Sequence, residues 1–217
     1  MEKGLALVIE FLDECDSTHI LMCNSIREGS IKPPSAICAK NQPNGIGSRG
    51  NSWSGLSGNL FLSFCLDKTA LPSDLNDASV SIYFAMIMKI YLQNLGSKVW
   101  VKWPNDLYID SFKIGGVIST KISNTYIGSV GLNILNAPEN SAILDIKKNA
   151  NDVAFGFLNE LEKNFSWKQI FSKFSVEFAK SKSFITHIND QNVHLADAIL
   201  CEDGAILLND KKVYSLR

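Results

Sequence analysis

The sequence has no excess of charge of either sign. Its 217 residues include 21 lysines and arginines against 22 aspartates and glutamates, for a formal net charge of −1 at pH 7. Without a basic excess there is no general electrostatic attraction to nucleic acid, so we expect no DNA partner. The net charge does not exclude a local basic patch, because it averages over the whole surface.

The sequence also lacks a long apolar run. Its most apolar stretch, residues 78–92, is shorter than the roughly 18 residues that a membrane span requires, and it contains Lys89. We therefore predict a helix of the protein core there. Residues 1–10 have no cationic start followed by a long apolar run and a small-residue cleavage site, so no signal peptide is predicted. Together these absences predict a cytoplasmic protein that does not associate with membranes.

Metal-binding and nucleophile motifs are missing as well. The five cysteines include no Cys-x-x-Cys pair, and the three histidines, His19, His187 and His194, have no metal ligands close to them in sequence. Neither Gly-x-Ser-x-Gly nor the Gly-x-x-x-x-Gly-Lys-Ser/Thr phosphate loop occurs. We accordingly predict no metal site, reduced thiols, and histidines that are exposed or satisfied by their neighbours.

The chain does contain a regular pattern of short strands and helices. Apolar residues make up 46% of it and charged residues 20%, which is typical of a globular protein. Short strands dominate the end of the chain, so we predict a main domain, 1–180, and a small β domain, 181–217. Strands are predicted at 7–12, 36–40, 60–66, 99–103, 107–109, 114–118, 126–135, 184–188, 193–200, 205–208 and 212–216, and helices at 17–27, 74–95, 152–164 and 167–179.

A glycine-rich loop separates two of these strands. Residues 42–58 contain five of the 14 glycines, which is too many for a helix or a regular strand. The string Gly-x-Gly-x-x-Gly at 45–50 resembles a dinucleotide-binding loop, but a strand follows it and not a helix. We predict a mobile polar flap whose peptide N–H groups approach an anion, with Arg49 adding charge and Trp53 covering an apolar ligand. The alternative is a surface loop without function.

A second segment combines a strand end with a lysine. Residues 102–106 read Lys-Trp-Pro-Asn-Asp, and residues 113–116 read Lys-Ile-Gly-Gly. The proline ends the strand and leaves Asn105 and Asp106 at its tip, where polar site residues are common. A lysine such as Lys113 at 4 Å from a phosphate contributes about 4 kcal/mol at an effective dielectric of 20, before desolvation. The alternative is a type I turn with a solvated lysine.

Two further segments are weaker signals on their own. Residues 16–19, Asp-Ser-Thr-His, place hydroxyl groups at a helix start, where they suit a small polar ligand group. A plain helix cap is the alternative. Residues 128–133, Gly-Ser-Val-Gly-Leu-Asn, form a strand with glycines and a terminal amide, for which a bulged core strand is the alternative.

These four segments, in this order, resemble the biotin–protein ligase family between about Glu14 and Asn133. The most specific part is the string at 102–106 with 113–116 behind it. The resemblance implies an α+β fold, a mixed β-sheet flanked by helices as in class II aminoacyl-tRNA synthetases and biotin ligases, with a small SH3-like C-terminal β appendage. It also implies an ATP-dependent ligase that activates biotin with Mg²⁺ and ATP to biotinyl-5′-AMP. The biotin is then transferred to a lysine of a biotin carboxyl carrier protein.

The resemblance assigns roles residue by residue. Lys113 and Arg49 are the expected catalytic residues. The expected biotin-binding residues are Ser17, Thr18, His19, Gln42, Gly45, Ile46, Gly47, Ser48, Trp53, Lys113, Gly116 and Ser129. The expected nucleotide-binding residues are Arg49, Gly50, Asn51, Asn105, Asp106 and Asn133.

The chain departs from the family pattern at several of these positions. His19 stands where the family has asparagine. In the loop, Ile46, Ser48 and Asn51 stand where the family has arginine, so only Arg49 keeps its charge. Weaker electrostatic attraction to the phosphate predicts faster release of biotinyl-5′-AMP. One extra residue between Ile127 and Asn133 leaves open which residue, Gly128 or Ser129, takes the place of the family's first glycine.

The N-terminal segment bears on DNA binding. Some family members are repressors with an N-terminal helix-turn-helix domain, whereas only 15 residues precede Asp16 here. Two helices of about 11 residues and a turn do not fit into that length, so a short form without operator binding is predicted. We expect a monomer or a weak homodimer. A lipoate or octanoyl ligase and a non-catalytic biotin- or nucleotide-binding protein are the alternatives.

Overall fold

A seven-stranded mixed sheet forms the centre of the computed structural model, which describes residues 7–47, 51–188 and 191–214. Two small sheets follow it near the C-terminus. The elements in chain order are β1 (Val8–Glu14), α1 (Thr18–Glu28), β2 (Ser35–Asn41), β3 (Leu60–Asp67), α2 (Val80–Asn94), β4 (Trp100–Lys102), β5 (Asp106–Ile109), β6 (Phe112–Ile122), β7 (Thr125–Leu132), α3 (Ala150–Leu161), α4 (Trp167–Ser181), β8 (Ile185–Ile188), β9 (Gln191–His194), β10 (Ile199–Leu200), β11 (Ile206–Leu208) and β12 (Lys211–Val213).

The strand order of the central sheet brings distant parts of the chain together. It runs β1-β2-β3-β7-β6-β5-β4, with β1 and β2 parallel and every other neighbouring pair antiparallel. The register of β3 with β7 pairs Ser63 with Ser129, and that of β7 with β6 pairs Ser129 with Ile118. Residues from three strands thus meet at the middle of the sheet.

Helix α2 lies in the interior of the protein. Apolar side chains surround it, and Tyr83 and Phe84 are fully buried against the sheet and helix α3, where Phe64 and Phe157 meet them. A helix that is apolar all round has to be covered on all sides, which explains its central position. Its one buried charge, on Lys89, pairs with Glu177 of α4 at 2.8 Å.

Helix α1 begins and ends where the sequence predicts. The Ser17 side chain caps its first turn by accepting the Ile20 N–H, and Gly29 ends it in the left-handed conformation. This cap fixes the first turn against the sheet, so Thr18 and His19 are buried. The predicted helix start therefore also decides which side chains face the middle of the sheet.

The C-terminal strands pack onto the same core as the central sheet. The Trp103 indole donates to the Gly204 carbonyl at 2.8 Å, and the Trp167 indole donates to the Glu202 carbonyl at 2.8 Å. Ile206 is fully buried in the main apolar cluster. The division of the chain at residue 180 stays a prediction.

Several predicted elements differ in extent: the strand predicted at 114–118 extends over Phe112–Ile122, and the one predicted at 126–135 ends at Leu132. Two differences have a clear cause. The strand predicted at 193–200 is divided into β9 and β10 by a turn in which the Ala198 N–H donates to the Leu195 carbonyl. The helix predicted at 74–95 begins only at Val80, because Asp74 accepts the N–H groups of Trp167 and Lys168 and so caps helix α4 instead. The end of the strand predicted at 212–216 lies outside the described residues.

The predicted fold class, a mixed sheet flanked by helices with small C-terminal sheets, is confirmed. In the parts of the chain that the structure describes, each helix is too short or too polar to span a membrane.

Candidate active site

One cleft gathers residues from all four segments that the sequence singled out. Lys113 lies in it together with Ser17, Thr18 and Gln42, although these residues are far apart in the chain. The free space is only about 40 Å³, enough for a few water molecules. The lining residues are Ser17, Thr18, His19, Gln42, Ile46, Gly47, Trp53, Asn105, Asp106, Lys113, Gly116, Val117, Ile118, Ser129, Val130 and Gly131.

The floor of the cleft is built from buried hydroxyl groups. Gln42 Oε1 accepts both the N–H and the hydroxyl of Thr18, each at 2.9 Å. The Ser63 hydroxyl lies 2.9 Å from Thr18 Oγ1 and 2.7 Å from Ser129 Oγ. All four side chains are buried, so each hydrogen bond replaces water that the group has lost on folding.

His19 continues this row of polar groups. Its Nδ1 lies 2.7 Å from Ser129 Oγ, and its Nε2 lies 3.0 Å from Thr120 Oγ1 and 3.5 Å from Cys23 Sγ. Burial, with a smaller repulsion from Arg27, lowers the pKa of His19 to about 4. The ring is therefore neutral near pH 7. The prediction of a satisfied histidine is correct, and the ring also lines the cleft.

The charged groups of the cleft form one cluster. Lys113 Nζ lies 2.6 Å from Asp106 Oδ1, and the buried Lys102 ammonium lies 4.0 Å from the other oxygen of that carboxylate. The hairpin of β5 and β6 places these groups, because its register pairs Asp106 with Gly116 and Tyr108 with Lys113, with a bulge between the two pairs. Lys113 Nζ also lies 5.6 Å from the centre of the Trp53 ring, within cation–π range. Two ammonium groups thus share the single carboxylate of Asp106 at the cleft.

Two of the three asparagines predicted for the nucleotide, Asn105 and Asn133, support the backbone. Buried Asn105 donates through Nδ2 to the Val117 carbonyl, and the main-chain carbonyl of Asn105 accepts the Val117 N–H at 2.9 Å. Asn133 donates through Nδ2 to the Ala142 carbonyl at 3.2 Å. Asn105 borders the cleft, whereas Asn133 borders a neighbouring depression.

That depression adjoins the cleft and is much larger. It has a volume of about 580 Å³ and shares Trp53 and Lys113 with the cleft. These two side chains therefore stand between a narrow polar cleft and an open space. The remaining lining residues are Pro43, Ser52, Ser54, Gly55, Asn133, Pro138 and Ser141.

Trp53 lies over Gly131 of β7. A Cβ atom at Gly131 would stand only 2.5 Å from the indole ring, so a side chain there would push the ring away. The indole Nε1 is buried and has no hydrogen-bond partner among the described residues. Trp53 thus takes up part of the cleft in this conformation, and its N–H is available to an acceptor.

The glycine-rich loop is partly closed on itself. The Gly47 N–H donates to the Asn51 carbonyl at 2.6 Å, and the Trp53 N–H donates to the Gly45 carbonyl at 2.7 Å. These two peptide groups are therefore engaged within the loop and are not turned to an anion. Ser48, Arg49 and Gly50 lie outside the described residues.

The glycines of the other segments divide into two groups. Gly116 lines the cleft, as predicted. A Cβ atom at Gly115 would stand 2.8 Å from the Gly131 carbonyl oxygen, and one at Gly128 would stand 2.3 Å from the Phe64 ring. Both glycines therefore serve close packing. The sequence left open whether Gly128 or Ser129 takes the place of the family's first glycine. In the structure, Ser129 is the one of the two that lines the cleft.

Sequence reasoning missed three polar residues behind the cleft. Ser63, Thr120 and Cys23 each contact a cleft residue, but none of them belongs to the four segments that the sequence singled out. The only available signal was a hydroxyl inside an otherwise apolar strand, Leu60–Asp67. Its meaning depends on the strand register, which the sequence did not supply.

Comparison with known proteins places this geometry in a family. Residues 11–134 match the biotin/lipoate A/B protein ligase family. Among curated proteins, the bifunctional ligase/repressor BirA of Escherichia coli K12 is 34% identical over 112 residues, which is 51% of this chain and 34% of that protein. Biotin–protein ligase 1, chloroplastic, of Arabidopsis thaliana is 31% identical over 144 residues, 61% of this chain and 38% of that protein. The chain thus spans about a third of the length of these relatives.

Solved structures match over nearly the whole chain. The biotin acetyl coenzyme A carboxylase synthetase of Helicobacter pylori, solved with bound biotinylated ATP, is 37% identical with a TM-score of 0.91, covering 96% of this chain and 99% of that one. The biotin protein ligase of Aquifex aeolicus, in complex with biotin and ATP, shares the fold at 20% identity and a TM-score of 0.76, covering 96% and 95%. These matches confirm the family resemblance drawn from the sequence. The chain belongs to the biotin/lipoate A/B protein ligase family.

Proposed function

We propose that this protein is a biotin–protein ligase. It activates biotin with ATP to biotinyl-5′-AMP and then transfers the biotin to a lysine of a biotin carboxyl carrier protein. The observation that supports this most directly is the shared cleft, in which Lys113 meets Ser17, Thr18 and Gln42. A lysine beside a polar floor suits a ligand with a polar head at one end and an anionic group at the other.

The first step joins two anions. A carboxylate oxygen of biotin attacks the α-phosphorus of ATP, a new O–P bond forms, and the bond to pyrophosphate breaks. This displacement needs no proton transfer from the protein, so positioning and electrostatic stabilisation supply the catalysis. Lys113 would offset the negative charge that builds up between the carboxylate and the phosphate, as preorganised donors do in other transfer reactions.

Asp106 would hold that lysine ready. The carboxylate keeps the Lys113 ammonium at the β5–β6 hairpin, 2.6 Å away, when no phosphate is bound. Phosphate oxygens can then take over from Asp106 as partners of an ammonium group that is already in place. Lys102, 4.0 Å from the other oxygen of the same carboxylate, would remain its partner when Lys113 contacts the phosphate.

The second step releases the activated biotin to a protein amine. The amine of the carrier lysine attacks the acyl carbon, an amide bond forms, the bond to AMP breaks, and a proton leaves the amine. The mixed anhydride has to be kept from water between the two steps. Trp53, which lies between the cleft and the open depression, would cover it. Arg49 would assist from the loop, as the sequence predicts.

The two adjoining spaces would receive the two substrates, with Trp53 moving aside to enlarge the cleft. The narrow polar cleft would take the biotin head, and the depression of about 580 Å³ would take the nucleotide, with Lys113 between them. Asn133 lines the depression, whereas Asn105 and Asp106 line the cleft beside Lys113 and would contact the phosphates from there. Magnesium would enter as the Mg–ATP complex and thus as part of a substrate. In the portion of the chain that the structure describes, we find no cluster of three or more side chains fit to hold a metal ion.

The setting of the reaction follows from the sequence. We propose a cytoplasmic enzyme, a monomer or a weak homodimer, with no DNA partner and no membrane partner. The acceptor would be a carrier protein whose lysine can reach the acyl group beside Trp53.

Lipoate ligation is the second candidate, because the matching family includes lipoate ligases. The lipoate ring has no N–H groups, whereas the cleft floor is lined with hydroxyl and amide groups that suit a urea. The polar floor therefore favours biotin.

One experiment separates the candidates. The protein is incubated with Mg–ATP and either biotin or lipoate while pyrophosphate release is followed, and a carrier domain is then added and its intact mass measured. We expect pyrophosphate and a mass gain of one biotin only with biotin. Release and labelling with lipoate alone would establish lipoate ligation, and binding of biotin without labelling would establish a non-catalytic protein.

A further inference from the structure

Five polar side chains form an unbroken row beneath the cleft. The row runs from Gln42 through Thr18, Ser63 and Ser129 to His19, and each neighbouring pair lies within 2.7–2.9 Å. Every hydroxyl in it has one proton and therefore donates one hydrogen bond only. The direction of the whole row is consequently fixed by whichever group cannot be reversed.

The backbone of Thr18 is that group. Its N–H can only donate, so the atom of Gln42 that it meets at 2.9 Å is the carbonyl oxygen and not the amide nitrogen. The Thr18 hydroxyl lies 2.9 Å from the same oxygen and so also donates to it. Ser63 then donates to the oxygen of Thr18, which uses its only proton.

The remaining steps follow in the same sense. With its proton used, Ser63 accepts from the Ser129 hydroxyl at 2.7 Å. Ser129 has then no proton left for His19, so Nδ1 of the ring donates to Ser129 Oγ at 2.7 Å. His19 is therefore the Nδ1–H tautomer. Its Nε2 is left as an acceptor for Thr120 Oγ1 at 3.0 Å and for the thiol of Cys23 at 3.5 Å.

The opposite tautomer would break the row. With the proton on Nε2, His19 Nδ1 would have to accept from Ser129, and Ser63 would face Ser129 without a proton for it. Two oxygen lone pairs would then meet at 2.7 Å in a buried site. An unmade hydrogen bond in a buried site destabilises the fold.

We infer that His19 is a positioning residue: Thr18 and Gln42 set the direction of the row, and the Nδ1–H bond of His19 holds its last hydroxyl, that of Ser129, in place, so that the cleft floor offers lone pairs and selects a ligand head that carries N–H groups. Thr18 and Ser129 both line the cleft, and each keeps one unused lone pair. The amide nitrogen of Gln42 stays free of the row and lies beside Gly45. A cyclic urea, with N–H groups beside a carbonyl, matches this set of acceptors and one donor. This inference rests on the proposed function.

Neutrality of the ring is part of the same arrangement. A doubly protonated imidazole would donate at both nitrogens, and Thr120 and Cys23 would then lose their acceptor. The buried position opposes that charge, and Arg27 on the same helix repels it. Burial also raises the pKa of the Cys23 thiol, so Cys23 keeps its proton as a donor.

NMR spectroscopy of the unmodified protein tests the tautomer directly. The full chain is labelled with isotopic nitrogen in histidine, and His19→Asn identifies the signals of His19 by their disappearance. We expect a neutral ring protonated at Nδ1 from about pH 5.5 to pH 8. A ring protonated at Nε2, or one that titrates near the ordinary histidine pKa of about 6.5, would overturn the inference.

Kinetics test the effect on ligand choice. His19→Leu removes the donor to Ser129, while His19→Asn keeps an N–H at a similar reach. We expect His19→Leu to raise KM about tenfold for biotin and equally for desthiobiotin, which keeps the urea, since the Ser129 hydroxyl loses the donor that holds it in place for the ligand head. The inhibition constant of octanoate, which has no urea, should be the same in His19→Leu as in the unmodified protein. His19→Asn should have a KM for biotin close to that of the unmodified protein. His194→Leu, at an exposed site on β9, is the matched control.

The outcomes separate this inference from the proposed function. An equal loss for biotin, desthiobiotin and octanoate would make His19 a residue of general structural importance and would refute its role in selection. An absence of biotin-dependent pyrophosphate release in the unmodified protein would refute the ligase instead. The NMR result on the tautomer is independent of that activity.

Discussion

The ammonium group of Lys113 lies 2.6 Å from a carboxylate oxygen of Asp106, between the polar cleft and the open depression beside it. About a third of the lysine side chain is exposed, at 35%, whereas the carboxylate is 23% exposed. The pair is therefore accessible to a phosphate from one side and anchored to the sheet on the other.

Replacing Lys113 with alanine should abolish adenylation. Loss of one preorganised donor at a transition state typically raises the barrier by about 2.7–4 kcal/mol, a rate loss of roughly 100- to 1,000-fold. The side chain is partly exposed and does not belong to the apolar core, so the fold should survive. The measurement is biotin-dependent pyrophosphate release together with thermal unfolding.

Lys121→Ala is the control for this prediction. Lys121 lies on the same strand, β6, but pairs with Asp77 at 2.5 Å and does not line the cleft. It should retain its pyrophosphate release. Near-normal release by Lys113→Ala would show that the lysine is not part of the reaction.

A side chain at position 131 should interfere with ligand binding through Trp53. The Cβ of Gly131→Ala would stand 2.5 Å from the indole, so the ring has to move. Overpacking of this kind costs about 1–3 kcal/mol, and we expect KM for biotin to rise about tenfold. Steady-state kinetics measures the effect.

A double-mutant cycle isolates the contact. In a Trp53→Ala background there is no ring for the new methyl group to meet, so Gly131→Ala should have little additional effect. Additive effects of the two substitutions would mean that residue 131 acts on the ligand independently of the tryptophan.

The family and the main elements could be predicted from the sequence because local chemistry determines them. Ser17 caps a helix wherever that helix lies, and the lysine of the string at 113–116 follows a turn that its own residues form. The polar row under the cleft could not be predicted. Its central hydroxyl, Ser63, becomes meaningful only when β3 pairs with β7 and sets it opposite Ser129.

The same dependence on tertiary structure explains the errors. Asp74 looks like a helix start in sequence, but the N–H groups of helix α4, about 90 residues later, bind its carboxylate. The loop glycines suggested free peptide N–H groups, whereas those of Gly47 and Trp53 pair within the loop. In the first case hydrogen bonds to a distant helix outweigh the local preference, and in the second case hydrogen bonds across the loop do so.

The sparse charge of the loop predicts rapid release of the intermediate. Ser48 lies outside the described residues and stands where the family has arginine, so this prediction rests on sequence. Ser48→Arg should slow dissociation of biotinyl-5′-AMP several-fold, because a second cation near Arg49 strengthens attraction to the phosphate. Stopped-flow measurement of the dissociation rate, with Ser48→Gln as an uncharged control, tests it. No slowing with arginine would contradict the idea.

The low pKa of His19 predicts a loss of stability in mild acid. Its pKa is about 4 in the folded protein against 6.5 for the unperturbed group, so the unfolded chain binds more protons between these two values. Stability due to the neutral ring is complete above about pH 6.5 and is lost as pH falls toward 4. From pH 8 to pH 5 the loss should be about 2 kcal/mol. Since His19→Asn has no titrating ring, the difference in unfolding free energy between the two proteins isolates this contribution. A difference that stays constant from pH 8 to pH 5 would show that the buried ring titrates alike in both states.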